Sequence, residues 1–146
     1  MALESIPASS DFHGGQFWRA YNEAAFRHFL AVDRLRAGHS TRFLLLILAS
    51  LRHSVGRSAM LTDAAAAALF CGLAECVREV DFVGWYREGY VAAAVLSPGV
   101  NASPEVPHLI VQRVLPALRK GLPADQSRNL RVRVVRLGGK TASDRR

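Results

Sequence analysis

Residues 78 to 96 have the pattern of two short strands joined by a tight turn. Residues 82 to 86 and 90 to 96 are rich in aromatic and β-branched side chains, which favour strands. Between them, Glu88 and Gly89 form the acid and glycine pair that favours a two-residue turn with positive φ. The sequence therefore predicts a β-hairpin, and the rest of the fold must supply a sheet that accepts it.

The segments before the hairpin show helical and strand patterns in turn. Residues 16 to 36 repeat apolar side chains every three or four positions, which predicts a helix with apolar residues on more than one side. Residues 41 to 50 contain a continuous apolar run at positions 43 to 49, which predicts a central strand buried on both faces. A second helix is expected from Thr62 or Asp63, either of which can cap it, to about residue 78.

Two further elements are predicted after the hairpin. Residues 103 to 105, Ser-Pro-Glu, favour a helix start, and this helix is expected to run to about residue 122. Pro116 lies inside it, so we expect a kink or break there. Residues 129 to 137 alternate apolar and arginine side chains, which predicts a strand with one dry and one solvated face.

The order of these elements predicts an α+β fold. After the leading helix the order is βαββαβ, the ferredoxin-like arrangement in which helices cover one face of a four-stranded antiparallel sheet. A chain of 146 residues is long enough to bury a core as a single domain. We assign the domain to residues 15–138, with a flexible leader at residues 1–14 and a basic tail at residues 139–146.

Cysteine, histidine and hydropathy patterns exclude several classes of protein. Cys71 and Cys76 are five residues apart on one predicted helix, a spacing that suits neither a disulfide nor a CxxC motif. The five histidines show no metal-ligand spacing, so we predict no metal site and no cofactor. No signal peptide is visible, and the longest aliphatic run is too short to cross a bilayer. A cytoplasmic protein of bacterial type is expected.

The net charge of +7 is concentrated in the last quarter of the chain. From His108 onward there are ten Lys or Arg residues against two Asp residues. Such a segment could bind nucleic acid, an acidic protein or an anionic membrane surface, or could be a solvated strand and tail. A nucleic-acid-binding module would use Arg131, Arg133 and Arg136 to hold backbone phosphates, although the sheet lacks paired aromatics for stacking on bases.

Residues 26 to 137 resemble the GGDEF domain, the diguanylate cyclase fold of bacterial signalling. Arg78-Glu-Val-Asp81 matches the Arg-x-x-Asp motif of that family at the end of the second helix. Five residues later, the position of the Gly-Gly-Asp-Glu-Phe signature is occupied by Arg87, Glu88, Gly89, Tyr90 and Val91. The spacing of the family is therefore kept, but its signature is not.

The resemblance implies a degenerate domain without cyclase activity. Diguanylate cyclases join two GTP molecules and hold divalent cations with carboxylate oxygens. The family's first metal-binding Asp corresponds to Ile47, and its signature acid corresponds to Tyr90. Glu88 is two positions away from that signature acid, and residues 54 to 62 lack the Asn and Asp by which the family holds guanine. An active cyclase that uses a shifted acid is the third hypothesis, after the nucleic-acid-binding module.

The resemblance also implies a ligand site at Arg78 and Asp81. In the family this motif is the inhibitory site, where the guanidinium and the carboxylate bind cyclic di-GMP. A structural role is open as well, because Arg near a helix C-terminus offsets the dipole and Asp can cap the following turn. The spare apolar surface of the leading helix adds a further expectation, a protein partner or a homo-oligomer formed through that helix.

Overall fold

The computed structural model describes residues 20–38, 43–54, 56–76, 80–97 and 106–138. The predicted leader at 1–14, the helix start at 103–105 and the basic tail at 139–146 lie outside the described residues. The elements in chain order are β1 (Ala20–Tyr21), α1 (Glu23–Gly38), β2 (Phe43–Ser54), β3 (Arg57–Ser58), α2 (Asp63–Cys76), β4 (Val80–Arg87), β5 (Val91–Leu96), α3 (Val106–Lys120), α4 (Ala124–Ser127) and β6 (Leu130–Gly138).

The central four strands have the ferredoxin-like order β4, β5, β2, β6, with every neighbouring pair antiparallel. Ile47 in the middle of β2 lies opposite Ala94 of β5 on one side and Val134 of β6 on the other. The predicted α+β fold is therefore confirmed. The predicted number of four strands is wrong, because β1 pairs in parallel with β4 and β3 pairs with the end of β2.

The first helix begins later than its apolar periodicity predicts. Residues 20 and 21 form a strand, and α1 starts at Glu23. The side chain of Asn22 caps this start, because its Oδ1 accepts a hydrogen bond from the backbone N–H of Ala25 at 2.9 Å. An Asn cap followed by an acid in the first turn is a strong start signal, and it overrides the helical spacing of the residues before it.

The sheet is covered on both faces. Helices α2 and α3 pack on one face, where Leu45 and Ile47 of β2 are buried, and α1 packs on the other, where Leu44 and Leu46 are buried. This confirms β2 as a central strand, and corrects the expectation that helices cover one face only. The three alanines of β5 are fully buried. Their small side chains leave room for helices on both sides.

Helices α2 and α3 largely follow their sequence signals. Thr62 caps α2, because its Oγ1 accepts a hydrogen bond from the N–H of Ala65 at 3.1 Å. Helix α3 continues through Pro116, so the helix does not break there. Pro116 is exposed, and the backbone carbonyl that loses its partner can be hydrated on that side. No helix in the described residues is long and apolar enough to span a membrane.

Candidate functional site at the hairpin and the first helix

The hairpin turn is closed by its glycine. The N–H of Tyr90 donates to the carbonyl of Arg87 at 2.9 Å, and Gly89 has a φ of 80°. The φ of Glu88 is not positive, so the turn is neither type I′ nor type II′. It has glycine at its third residue, the position where a type II turn requires positive φ. The carbonyl of Gly89 also accepts from the N–H of Leu61 at 2.8 Å. The turn is thereby fixed to the segment that precedes α2.

The carboxylate of Glu88 lies at the N-terminus of α1. Its Oε1 accepts a hydrogen bond from the backbone N–H of Glu23 at 3.2 Å, and the N–H of Glu88 donates to Oε1 of Glu23 at 2.8 Å. The two residues are 65 positions apart in the sequence. The free N–H groups and the dipole of a helix N-terminus favour an anion there. The acid of the turn is thus engaged in joining the hairpin to α1.

Arg27 extends this contact along the first turn of α1. Its Nε lies 3.3 Å from Oε2 of Glu23 and donates to the carbonyl of Tyr86 at 3.0 Å. The guanidinium carbon is 4.2 Å from the centre of the Tyr86 ring, a cation–π contact. Because Arg27 and Glu23 are 47% and 38% exposed, their ion pair is worth less than about 1 kcal/mol. Its main effect is to fix the direction in which Arg27 points.

An irregularity in the β4–β5 pairing lies beside the hairpin turn. Between the pairs Trp85↔Ala92 and Arg87↔Val91, β4 contains one extra residue, Tyr86. Such a bulge bends the strand and redirects side chains. Tyr86 packs on the α1 face, whereas Trp85 is buried on the other face with its ring centre 5.1 Å from that of Phe70. Trp85 is therefore a core residue.

A groove of about 690 Å³ runs along the exposed side of α1. It is lined by Arg27, Leu30, Ala31, Arg34 and Leu35 of the helix and by Tyr86 of β4. This groove was not among the features predicted from the sequence. The repeat of apolar residues in α1 indicates a helix with apolar residues on more than one side, but it does not say which side the sheet covers.

The three strand arginines do not share one surface. Arg133 lies opposite Leu48 and Arg131 opposite Ser50, which places both on the α1 face of the sheet. Arg136 lies opposite Leu45 on the other face, where its guanidinium carbon is 3.9 Å from the centre of the Phe43 ring.

Comparison of the whole chain with known proteins identifies its fold. No protein-family profile matches the chain, and no curated protein sequence matches it. The GGDEF domain of FimX from Pseudomonas aeruginosa superposes with a TM-score of 0.60 at 20% identity, over 87% of this chain and 81% of that one. A DGC protein from Thermotoga maritima gives a TM-score of 0.58 at 17% identity, over 81% and 80% of the two chains. The chain has the GGDEF fold.

The structure describes the positions of Ile47 and of the five residues at the hairpin turn that the sequence analysis singled out. Ile47, which the sequence comparison aligns with the first metal-binding acid of the family, is completely buried in the middle of β2. Tyr90, which the sequence comparison aligns with the signature acid, is partly buried, and the guanidinium carbon of Arg87 lies 4.6 Å from the centre of its ring. Val91, the last residue of the degenerate signature, begins β5.

The residues of the Arg-x-x-Asp motif are only partly within the described structure. Arg78 lies outside the described residues. Asp81 lies in β4 as the extra residue between the pairs Val80↔Leu96 and Phe82↔Val95, and its side chain is not described. Ligand binding by Arg78 and Asp81 therefore stays a prediction. In the described part of the chain, His, Cys, Asp and Glu residues form no group of three that could hold a metal ion.

Proposed function

We propose that this chain is a catalytically inactive GGDEF-like domain that works as a signalling and interaction module in the bacterial cytoplasm. The observation that carries the proposal is the pair of hydrogen bonds between Glu88 and Glu23. Glu88 is the only acid in the degenerate signature, and its carboxylate is engaged with the N-terminus of α1. The turn that holds metal in an active cyclase is used here to hold a helix.

The chemistry of a magnesium site supports the same proposal. Mg²⁺ takes oxygen ligands in near-octahedral geometry, and it is usually bound through one or two carboxylates together with substrate phosphates. Ile47 has no oxygen in its side chain and is completely buried. Tyr90 carries a phenol where the signature has an acid. Oε1 of Glu88 accepts a hydrogen bond from the N–H of Glu23, so a cation would compete with the helix N-terminus for this carboxylate.

Incubation of the purified chain with GTP and Mg²⁺ is expected to give no cyclic di-GMP above a blank without protein. The reason is the lack of carboxylate ligands at Ile47 and Tyr90. Chromatographic detection of the product checks this. Product that forms with the wild-type chain and disappears in Glu88→Gln would contradict the proposal and support an active cyclase that uses a shifted acid.

The proposed module includes a receptor site for cyclic di-GMP at Arg78 and Asp81. The motif stands where α2 leads into β4, the position that it has in the family that the sequence resembles. The bulge at Asp81 interrupts the regular pairing of β4 with β5, and bulges of this kind often redirect a side chain beside a site. An arginine can grip a phosphate through two parallel hydrogen bonds, which suits the anionic ring of this ligand.

Calorimetry with cyclic di-GMP is expected to give saturable heat with the wild-type chain. Arg78→Ala should bind at least about tenfold more weakly, because a hydrogen bond to a charged group is worth about 1.5 to 3 kcal/mol. Arg119→Ala removes an exposed arginine at the end of α3 and should leave the affinity unchanged. No heat with the wild-type chain would contradict the receptor site, and unchanged affinity in Arg78→Ala would contradict its location.

The alternative of a nucleic-acid-binding module has less support. Its three arginines are divided between the two faces of the sheet, and Arg136 is stacked on Phe43. The phosphate backbone of a nucleic acid bound on one face of the sheet could therefore not contact all three arginines.

A further inference from the structure

The groove beside α1 combines an apolar floor with positive charge. Its lining residues lie three, four and seven positions apart, so they form one stripe along the helix. From Arg27 to Leu35 and on to the end of α1, this stripe is about 16 Å long. A helix of three turns has about this length, so a short helix could lie along the whole stripe.

The apolar part of the stripe is exposed to solvent. Leu35 is 68% exposed, and Ala31 is also exposed. The opposite side of α1 already buries Phe26 against the sheet, so the fold does not need Leu35 for its own core. Covering Leu35 and Ala31 with a partner would remove apolar surface from water, which favours association.

The two charged residues that line the groove are both arginines, and one of them is paired with a carboxylate. Within the described residues, Arg34 has no carboxylate oxygen within 4 Å, whereas Arg27 is held by Glu23 and Tyr86. Arg131 and Arg133 are exposed on the same face of the sheet. A partner that carries carboxylates beside its apolar residues would match this pattern.

We propose that the groove binds an amphipathic helix of another protein, with an apolar stripe flanked by Asp or Glu. The proposal rests on the proposed role as an interaction module, and adds the surface and the chemistry of its partner. A second copy of α1 fits less well, because pairing through this stripe would place arginines of one copy beside those of the other. The apolar floor argues against nucleic acid.

The test uses the full chain and two labelled synthetic peptides of about 18 residues, long enough to form helix on binding. Both peptides carry leucine at every third and fourth position. One has glutamate at the flanking positions, and the other has lysine. We expect fluorescence anisotropy to show saturable binding of the glutamate peptide and at least tenfold weaker binding of the lysine peptide. Absence of binding, or equal binding of the two peptides, would overturn the proposal.

Four variants locate the binding surface. Arg34→Glu should weaken binding of the glutamate peptide at least tenfold and strengthen that of the lysine peptide, and Leu35→Asp should weaken both. Arg119→Glu and Leu109→Asp, which change exposed positions of the same residue types on α3, should leave binding unchanged. Urea unfolding and circular dichroism establish that each variant is folded. Equal effects in the α1 and α3 variants would overturn the proposed location.

Sedimentation of the wild-type chain distinguishes two occupants of the groove, a helix of another protein and a second copy of this chain. A monomer that binds the glutamate peptide supports the proposal, whereas a dimer that dissociates in Leu35→Asp would overturn it in favour of a second copy. The GTP and cyclic di-GMP measurements do not involve the groove. Failure of the peptide to bind is therefore distinguishable from failure of the proposed function.

Discussion

Replacement of Phe26 by alanine is expected to lower the free energy of unfolding by about 3 to 5 kcal/mol. Phe26 is completely buried between α1 and the sheet, where it packs with Leu46 and Val95. Its ring centre lies 5.2 Å from that of Phe82 in an edge-to-face arrangement. The substitution would remove this contact and leave a cavity that the surrounding strands can fill only in part.

The helix propensity of alanine does not oppose this expectation. Alanine is the best helix former, so the loss in Phe26→Ala would come from tertiary packing and not from α1 itself. Leu35→Ala is the matched control, because Leu35 is on the same helix but 68% exposed. Its effect should be within about 0.5 kcal/mol. Urea unfolding followed by circular dichroism measures both, and similar losses in the two variants would contradict the assigned role of Phe26.

Gly84→Val is expected to lower the free energy of unfolding by about 3 kcal/mol, at the upper end of the cost of overpacking. A Cβ atom at position 84 would lie 2.6 Å from the backbone oxygen of Tyr21 and 2.9 Å from Cδ1 of Phe26. The backbone oxygen belongs to β1, which pairs with β4 at this point, and it cannot rotate away. Relief of the clash would require β1 and α1 to move away from the sheet.

The sign of this effect is opposite to that of intrinsic strand propensity, which favours valine over glycine. A gain in stability in Gly84→Val would therefore contradict the close approach of β1 and β4. Gly38→Ala is the control, since a Cβ at position 38 would have nothing within 4 Å. We expect this change at the end of α1 to alter stability by no more than about 0.5 kcal/mol. Urea unfolding of the three chains is the measurement.

Several elements could be predicted because their signals are local. Glu88 and Gly89 between two β-branched runs predicted the hairpin, and the structure has a turn at these residues. The continuous apolar run from residue 43 to residue 49 in β2 predicted burial on both faces, since successive side chains of a strand point to opposite sides. The order of these elements then led to the βαββαβ arrangement and to the resemblance to GGDEF domains.

The candidate site could be predicted only in part. The Arg-x-x-Asp motif and the altered signature were visible in the sequence, because their spacing is fixed along the chain. The bulges at Asp81 and Tyr86 were not visible, because an extra residue in β4 is defined only by its pairing with β5. The groove was missed for the same kind of reason, since the exposed side of α1 depends on how the helix lies on the sheet.

The sequence by itself determined the hairpin, the buried central strand and the order of the main elements. Only the tertiary structure decided that α1 covers the second face of the sheet and that Glu88 caps its first turn. The physical reason is distance along the chain. Helix and strand patterns depend on neighbouring residues, whereas the contact of Glu88 with Glu23 joins residues 65 positions apart, and packing of α1 on the sheet brings them together.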